Sequence, residues 1–186
     1  MFKIREKFIL WKIYQGKIDV FEEIYDYYAP KIYRFVYFRV SSVEDAEDLV
    51  SQIFIKLLKS LTRESGREVN NLQAFIYSIA RNLVTDFYRQ KKIVIAFDDK
   101  IKNELIDSKR SIENLNLSID FSIEINNTMQ AVKGLEDNCQ EIIILRFVND
   151  LSIKEIAIIL GKSSGSIKVS LHRAIKKLRT IINNNL

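Results

Sequence analysis

Cysteine and histidine are almost missing from this chain of 186 residues: one of each is present, Cys139 and His172. That scarcity excludes a disulfide framework and a tetrahedral Cys/His zinc site, since both need several such side chains held together. Cys139 falls in an amphipathic stretch, where a lone thiol reads as packing rather than as a redox sensor. Proline occurs once, at Pro30, and glycine only five times, so nucleotide-cradling glycine loops and low-complexity linkers are not expected. No segment approaches the roughly 20 apolar residues of a membrane span. The start of the chain, charged at Lys3, Arg5, Glu6, Lys7 and Lys12, does not read as a signal peptide. A cytoplasmic protein with no membrane insertion is the expectation. Acid is absent altogether after Glu155, while the same 31 residues hold six Lys or Arg.

What is present is 47% hydrophobic and 28% charged, a composition that folds. The formal charge of +5 is unevenly spread, because residues 1–70 are nearly neutral, with 12 basic and 11 acidic side chains. Apolar spacing is helical almost throughout, which predicts an all-α fold. A first helix is expected from about Ile4 to Tyr14, stopping at Gly16. Asp19 then caps a long helix carrying Phe21, Ile24, Tyr25, Tyr28, Ile32, Phe35, Val36 and Val40 on its apolar face, with Pro30 starting its second half. Ser41-x-x-Glu44 reads as a capping box for a helix to about Leu61, with Asp45, Glu47 and Asp48 near its positive end. The polar stretch 62–70 is a loop, and Asn71 caps a helix that ends near Arg89.

Between residues 93 and 122 periodicity weakens and the charge turns to −2, the pattern of an interdomain linker with at most a short helix at 100–107. Four helices are then expected near 123–134, 137–148, 152–160 and 164–182, with Ser122 and Ser152 as N-caps and Gly161 closing the third. The reading is therefore two small helical domains joined by a flexible acidic linker: 1–92, 93–122 and 123–186.

The most informative string runs from Ser152 to Arg173 and has the pattern of a helix-turn-helix, homeodomain-like or winged-helix-like. Ile153, Ile156, Ala157 and Leu160 make one face of a short helix, Gly161 allows the sharp exit, and Ile167, Leu171, Ala174 and Leu178 bury a stripe of the next. Outward positions then fall to Ser164, Ser166, Lys168, Ser170, His172, Arg173, Lys176, Lys177 and Arg179. Hydroxyls, an imidazole and cations suit base edges and phosphates of duplex DNA, so this helix is the candidate major-groove reader. A merely solvated basic face is the plainer explanation for a surface helix, but it accounts neither for the missing acids nor for the preceding helix and glycine turn.

These motifs resemble a bacterial RNA polymerase sigma factor of the extracytoplasmic-function group over nearly the whole chain. Asp45-Ala-Glu-Asp-Leu-Val50 with Phe54, Leu72 and Phe75, Ile79-Ala80-Arg81-Asn82, and Asp86 with Arg89 resemble region two of that group. Glu155-Ile156-Ala157, Gly161, Gly165-Ser166-Ile167-Lys168, Leu171, Arg173-Ala174 and Leu178-Arg179 resemble region four. The resemblance implies a specificity subunit that binds core polymerase at its clamp helices and flap, and promoter DNA, with no catalytic residue, metal or cofactor of its own. It implies Asp45, Glu47, Asp48 and Gln52 as polymerase contacts. For the melted non-template strand it implicates Arg63, Arg67, Tyr77, Arg81, Asn82, Tyr88, Arg89, Lys91 and Lys92, with Asn82 holding an extruded base. An anti-sigma protein is a further partner the resemblance allows. The chain departs from the group's pattern at Ser51-Gln52, where Gln-Glu is frequent, and in having no aromatic residue in the 62–70 loop.

Two other readings use the same residues. A helix-turn-helix regulator that works alone would explain the last third and leave the first 92 residues without a role. A helical magnesium-dependent nucleotide hydrolase would place Glu22, Glu23 and Asp26 opposite Glu44, Asp45, Glu47 and Asp48, but acids in a first helical turn are ordinary capping chemistry.

Overall fold

A computed structural model describes residues 2–40, 42–62, 69–97 and 131–184, and among these no strand occurs. The helices are α1 (Phe2–Tyr14), α2 (Phe21–Val40), α3 (Val43–Leu61), α4 (Leu72–Phe97), α5 (Asp137–Ile143), α6 (Ile153–Leu160) and α7 (Ser164–Asn184). Residues 131–133 are also helical, and a π-helical turn, Ile144–Val148, extends α5. The fold is all-α, with no wing among the described residues. The expected Ser122 cap and the 100–107 helix lie outside them.

Glycine ends two of these helices by the same device. Gly16 (φ 81°) and Gly161 (φ 62°) occupy the left-handed region, the N–H of each glycine bonds the carbonyl three residues back, and the N–H of the following Lys17 or Lys162 bonds the carbonyl five back. That is the Schellman arrangement, which any side chain at the glycine would strain. Helix starts are equally local. The Ser42 hydroxyl accepts from the Asp45 N–H at 3.2 Å, so the cap of α3 is Ser42, one residue later than the sequence suggested. Neighbouring serines cap equally well, and the choice follows from burying Ala46, Leu49, Val50, Ile53, Phe54, Leu57 and Leu61 on one stripe. Asn71 caps α4 through Ala74 N–H to Oδ1 at 2.9 Å, as expected.

Helix α2 passes through Pro30 without interruption. Proline removes one N–H, and because Pro30 and Asp26 are both exposed the freed carbonyl can face water. Its buried face is Ile24, Tyr28, Ile32, Phe35, Val36 and Tyr37, whereas Tyr25, expected inside, is exposed and packs edge-on to Phe54 at 4.8 Å. Helices α2, α3 and α4 pack on one another and α1 closes the bundle with Ile9, Leu10 and Ile13. Phe35 and Tyr77 meet at its centre in a T-shaped pair, 5.4 Å apart.

Burial pushes the phenols of Tyr28 and Tyr77 far above the ordinary tyrosine range, and Glu6, which accepts from Tyr28 at 3.1 Å, pushes Tyr28 further. A raised phenol pKa means the fold favours the neutral form. Its contribution is complete below the unfolded value of about 10 and is lost as pH rises from there toward the folded values. Tyrosinate absorbance followed with circular dichroism should show Tyr28 and Tyr77 ionising last, together with alkaline unfolding. Titration of all eight tyrosines near pH 10 in a still-folded protein would contradict the packing described.

Two expectations for helix length are corrected. Helix α4 does not stop near Arg89 but continues to Phe97, so residues 93–97, assigned to the linker, are helical. No proline or glycine stands between Arg89 and Phe97, and nothing local ends the helix. The helix expected over 137–148 changes to π geometry from Ile144, with the Asn149 N–H bonding the Ile144 carbonyl and Asp150 at φ 51°. The wider turn seats the Asn149 side chain inside the molecule, where its Nδ2 donates to the Lys31 carbonyl of α2 at 2.7 Å. The Tyr77 hydroxyl and Asn149 Oδ1 are both buried without a close hydrogen bond, although the amide is near enough to act on the phenol. The C-terminal helices therefore rest on the N-terminal bundle, α6 against α4 and the π turn against α2.

Candidate nucleic-acid interface

The helix-turn-helix is built as its sequence suggests. Ser152 and Glu155 form a reciprocal capping box, with Ser152 N–H to Glu155 Oε2 at 2.9 Å and Glu155 N–H to Ser152 Oγ at 3.3 Å. Ile156, Ala157 and Ile159 bury the inner face of α6, and Gly161 turns the chain into α7. Ser163 caps α7, its Oγ accepting from the Ser166 N–H at 3.1 Å. Ile167 and Ala174 are buried and Leu171 and Leu178 half-buried, which fixes the rotation of α7 about its axis.

That rotation exposes Ser166, Lys168, His172, Arg173, Lys176 and Lys177, and leaves Ser164 and Ser170 half-buried. Lys177 differs from the rest, because its ammonium bonds the Glu136 carboxylate, which is held below the usual carboxylate range chiefly by that hydrogen bond. Its first partner is thus a surface carboxylate of the same chain. Sequence reasoning missed Val169, which is exposed between Lys168 and His172 and is an apolar surface of the kind that meets a thymine methyl. The sequence reading gave it neither to the buried stripe nor to the outward positions, and the rotation set by buried Ile167 and Ala174 puts it outside.

The strand-binding candidates on α4 divide. Asn82 is exposed, and so are Tyr88, Arg89 and Lys91. Arg89 pairs with Asp86 at 2.9 Å, Lys91 lies 5.3 Å over the Phe87 ring, and the Tyr88 hydroxyl donates to the Arg39 carbonyl. Tyr77 is corrected: it is fully buried against Phe35 and offers no ring to a base. Arg81 is turned inward, with Nε 2.6 Å and Nη2 3.2 Å from the two oxygens of Glu141 and Nη1 3.4 Å from the Ile159 carbonyl. Arg63 and Arg67 lie outside the described residues, as does the side chain of Lys92.

On α3, Glu47, Asp48 and Gln52 are exposed and Asp45 is half-buried. Ile55, one turn beyond Gln52, is exposed too and adds an apolar centre that the sequence reading did not mark. The carboxylates of the hydrolase reading do not converge. Glu22 and Asp26 are exposed, Glu23 pairs with Arg5 at 3.0 Å, and no group of three His, Cys, Asp or Glu side chains is placed to hold a metal ion among the described residues. No described helix is long and apolar enough to cross a membrane.

Residues 24–93 match the Sigma-70 region 2 family model, and residues 125–178 match that of Sigma-70, region 4. The chain is 31% identical over 169 residues to the ECF RNA polymerase sigma factor BldN of Streptomyces coelicolor, covering 90% of this chain and 62% of that one. It is 29% identical over 174 residues to the ECF RNA polymerase sigma factor SigW of Bacillus subtilis, covering 90% and 91%, and 30% identical over 147 residues to that organism's RNA polymerase sigma factor SigV, covering 79% and 81%. Among solved structures, the sigma factor RpoE in complex with the anti-sigma factor NepR from Bartonella quintana superposes with a TM-score of 0.63 at 26% identity, over 88% of this chain and 96% of that one. CnrH in complex with the cytosolic domain of CnrY reaches a TM-score of 0.72 over 96% and 97% at 16% identity, a likeness of fold. The chain belongs to the sigma-70 family and, with both regions in order, is an ECF-group RNA polymerase sigma factor that directs transcription initiation at promoters. The family is one of initiation factors rather than catalysts, and its relatives span both halves of the chain, which a regulator built on the C-terminal third alone leaves unexplained.

Proposed function

We propose a division of labour along the chain, in which residues 1–92 bind core polymerase and the melted strand, 93–122 link, and 123–186 dock on duplex promoter DNA. The observation that carries it is the α7 stripe of Lys168, Val169, His172, Arg173 and Lys176, exposed on a helix whose rotation is fixed by buried Ile167 and Ala174. On α3, Glu47, Asp48, Gln52 and Ile55 meet the polymerase clamp helices, charge at the edge and Ile55 as the apolar contact. On α4, Asn82 takes the extruded base while Tyr88, Arg89, Lys91 and Arg81 hold ring and phosphates, with Arg63, Arg67 and Lys92 alongside. The protein works in the cytoplasm, catalyses no reaction itself, and is held inactive by an anti-sigma protein, a reading supported by the NepR complex of its relative.

The test is fluorescence anisotropy of the labelled protein titrated with purified core polymerase without DNA. Saturable binding is expected, and Asp48→Lys should weaken it at least about tenfold, since reversing a charge at an interface replaces attraction by repulsion. Asp48 lies beyond the first turn of α3, so its replacement does not remove the acids, Glu44 and Asp45, that sit there. Unchanged affinity in that variant removes α3 from the interface, and absence of any core binding by the wild type overturns the assignment.

A further inference from the structure

We propose that Arg39 and Arg81 form a phosphate site for the melted strand, and that in the closed protein the Glu141 carboxylate occupies it. The inference rests on the assignment of α4 to that strand and adds to it Arg39, from α2, and Glu141, from the C-terminal half.

The contact between the two halves of the chain is chemically specific. Glu141 comes from α5, and its side chain is only 9% exposed. Arg81 grips it with two hydrogen bonds in the fork geometry that guanidinium uses for carboxylates and phosphates alike. Arg39 approaches from the other side, its Nη1 3.9 Å from Glu141 Oε1, with a side chain 11% exposed. Arg39 Nε is buried and has no hydrogen-bond partner among the described residues. Two guanidiniums bring up to ten N–H donors to an anion with two oxygens, and Arg81 already uses both of those oxygens. The carboxylate therefore offsets only one of the pair's two charges and leaves Arg39 Nε without a hydrogen bond among the described residues. A phosphodiester carries the same single charge on a larger tetrahedral group, with ester oxygens besides the two charged ones, and can meet Arg39 and Arg81 together.

The surroundings favour a strand over a free ion. A cleft of about 640 Å³ opens beside Arg39, with Thr85, Tyr88 and Arg89 of α4 on the same wall and Lys133 and Asp137 on the opposite one. Arg81, Thr85, Tyr88 and Arg89 recur at helical spacing on α4, so Arg81 continues the row that holds Tyr88 and Arg89, already assigned to the strand, and Arg39 is added to it from α2. The acids near this row are Asp86, which is paired with Arg89, Asp137 across the cleft, Glu141 itself, and Asp45 of α3, whose charge reaches Tyr88. Glu141 and Asp137 belong to the C-terminal half and leave with it when the two halves separate. Strand capture and separation of the halves are then linked, because one anion must leave before the other enters, and by reciprocity a bound strand disfavours closure.

The experiment uses the full chain and a fluorescein-labelled thymidine oligonucleotide of about 12 residues, titrated by anisotropy at moderate salt. Glu141→Gln keeps the shape and removes the charge. It should bind the oligonucleotide about tenfold or more tighter than wild type, the scale of a lost charge-assisted pair, and adding Arg39→Ala should abolish the gain. Equal binding by wild type and Glu141→Gln, or a gain that survives Arg39→Ala, overturns the proposal. Should Glu141→Gln not fold, the deciding measurement is Arg39→Ala in the assembled polymerase. Loss of permanganate-reactive promoter opening with core and duplex binding retained supports the site, and normal opening overturns it. Core binding by the wild type, measured in the same series, reports on the sigma-factor assignment separately from the site.

Discussion

Replacing Lys168 and Arg173 together by alanine should weaken duplex promoter binding by about 10- to 100-fold at moderate salt and flatten the dependence of log affinity on log salt by about two phosphate contacts. Both side chains are exposed on α7, while the residues that hold that helix in place, Ile167 and Ala174, are untouched. The loss should therefore come from phosphates and base edges rather than from a misplaced helix. It should also be confined to DNA, since the proposed polymerase contacts are on α3. Anisotropy titrations of the polymerase-bound protein over a salt series, beside titrations of core alone, separate the two. Equal losses of DNA and core binding would sink the division of labour, and an unchanged salt slope would take Lys168 and Arg173 off the phosphates.

The second large effect is on stability. Phe35→Ala removes a fully buried ring from the contact with Tyr77 at the centre of the N-terminal bundle. Lost transfer energy and the cavity left behind should together cost about 3–5 kcal/mol, a large part of the 5–15 kcal/mol typical of a domain. Phe147 is the natural comparison, being the same residue type on the π turn but 60% exposed, and Phe147→Ala should change stability by less than about 0.5 kcal/mol. Urea unfolding followed by circular dichroism measures both. Similar costs for the two variants would mean that the burial pattern is wrong.

Local chemistry was legible from the chain. The Ser152 cap with Glu155, the Gly161 exit and the Asn71 cap each depend on a few neighbouring residues, and each stands where the sequence put it. The buried stripe of α7 was legible for the same reason, since Ile167 and Ala174 keep helical spacing next to a cationic face. What was not legible depends on contacts distant in sequence. Arg81 and Asn82 are adjacent and both suit nucleic acid, yet a helix turns about 100° per residue, so Asn82 faces solvent while Arg81 meets a carboxylate 60 residues away. Tyr77 and Tyr88 are both aromatic residues of one helix, and only the position of Phe35 decides that the first is core. The Ser42 cap was misplaced by one residue because serine chemistry cannot distinguish it from Ser41. The π turn had no signal at all, since Ile144, Leu145 and Val148 fit an α-helical stripe equally well.

That turn also acts as a spacer of fixed phase. A π turn holds one residue more than the α-helix it replaces, so everything after Val148 is rotated by about 100° relative to a straight continuation of α5. The rotation aims Asn149 at the Lys31 carbonyl and sets the azimuth at which Ser152 begins the helix-turn-helix. A sigma factor of otherwise similar sequence that lacks this residue would carry the same recognition helix on a differently clocked base. In it α6 and α7 would stand at a different angle about the axis of α5, and the seat of Asn149 on α2 would be lost.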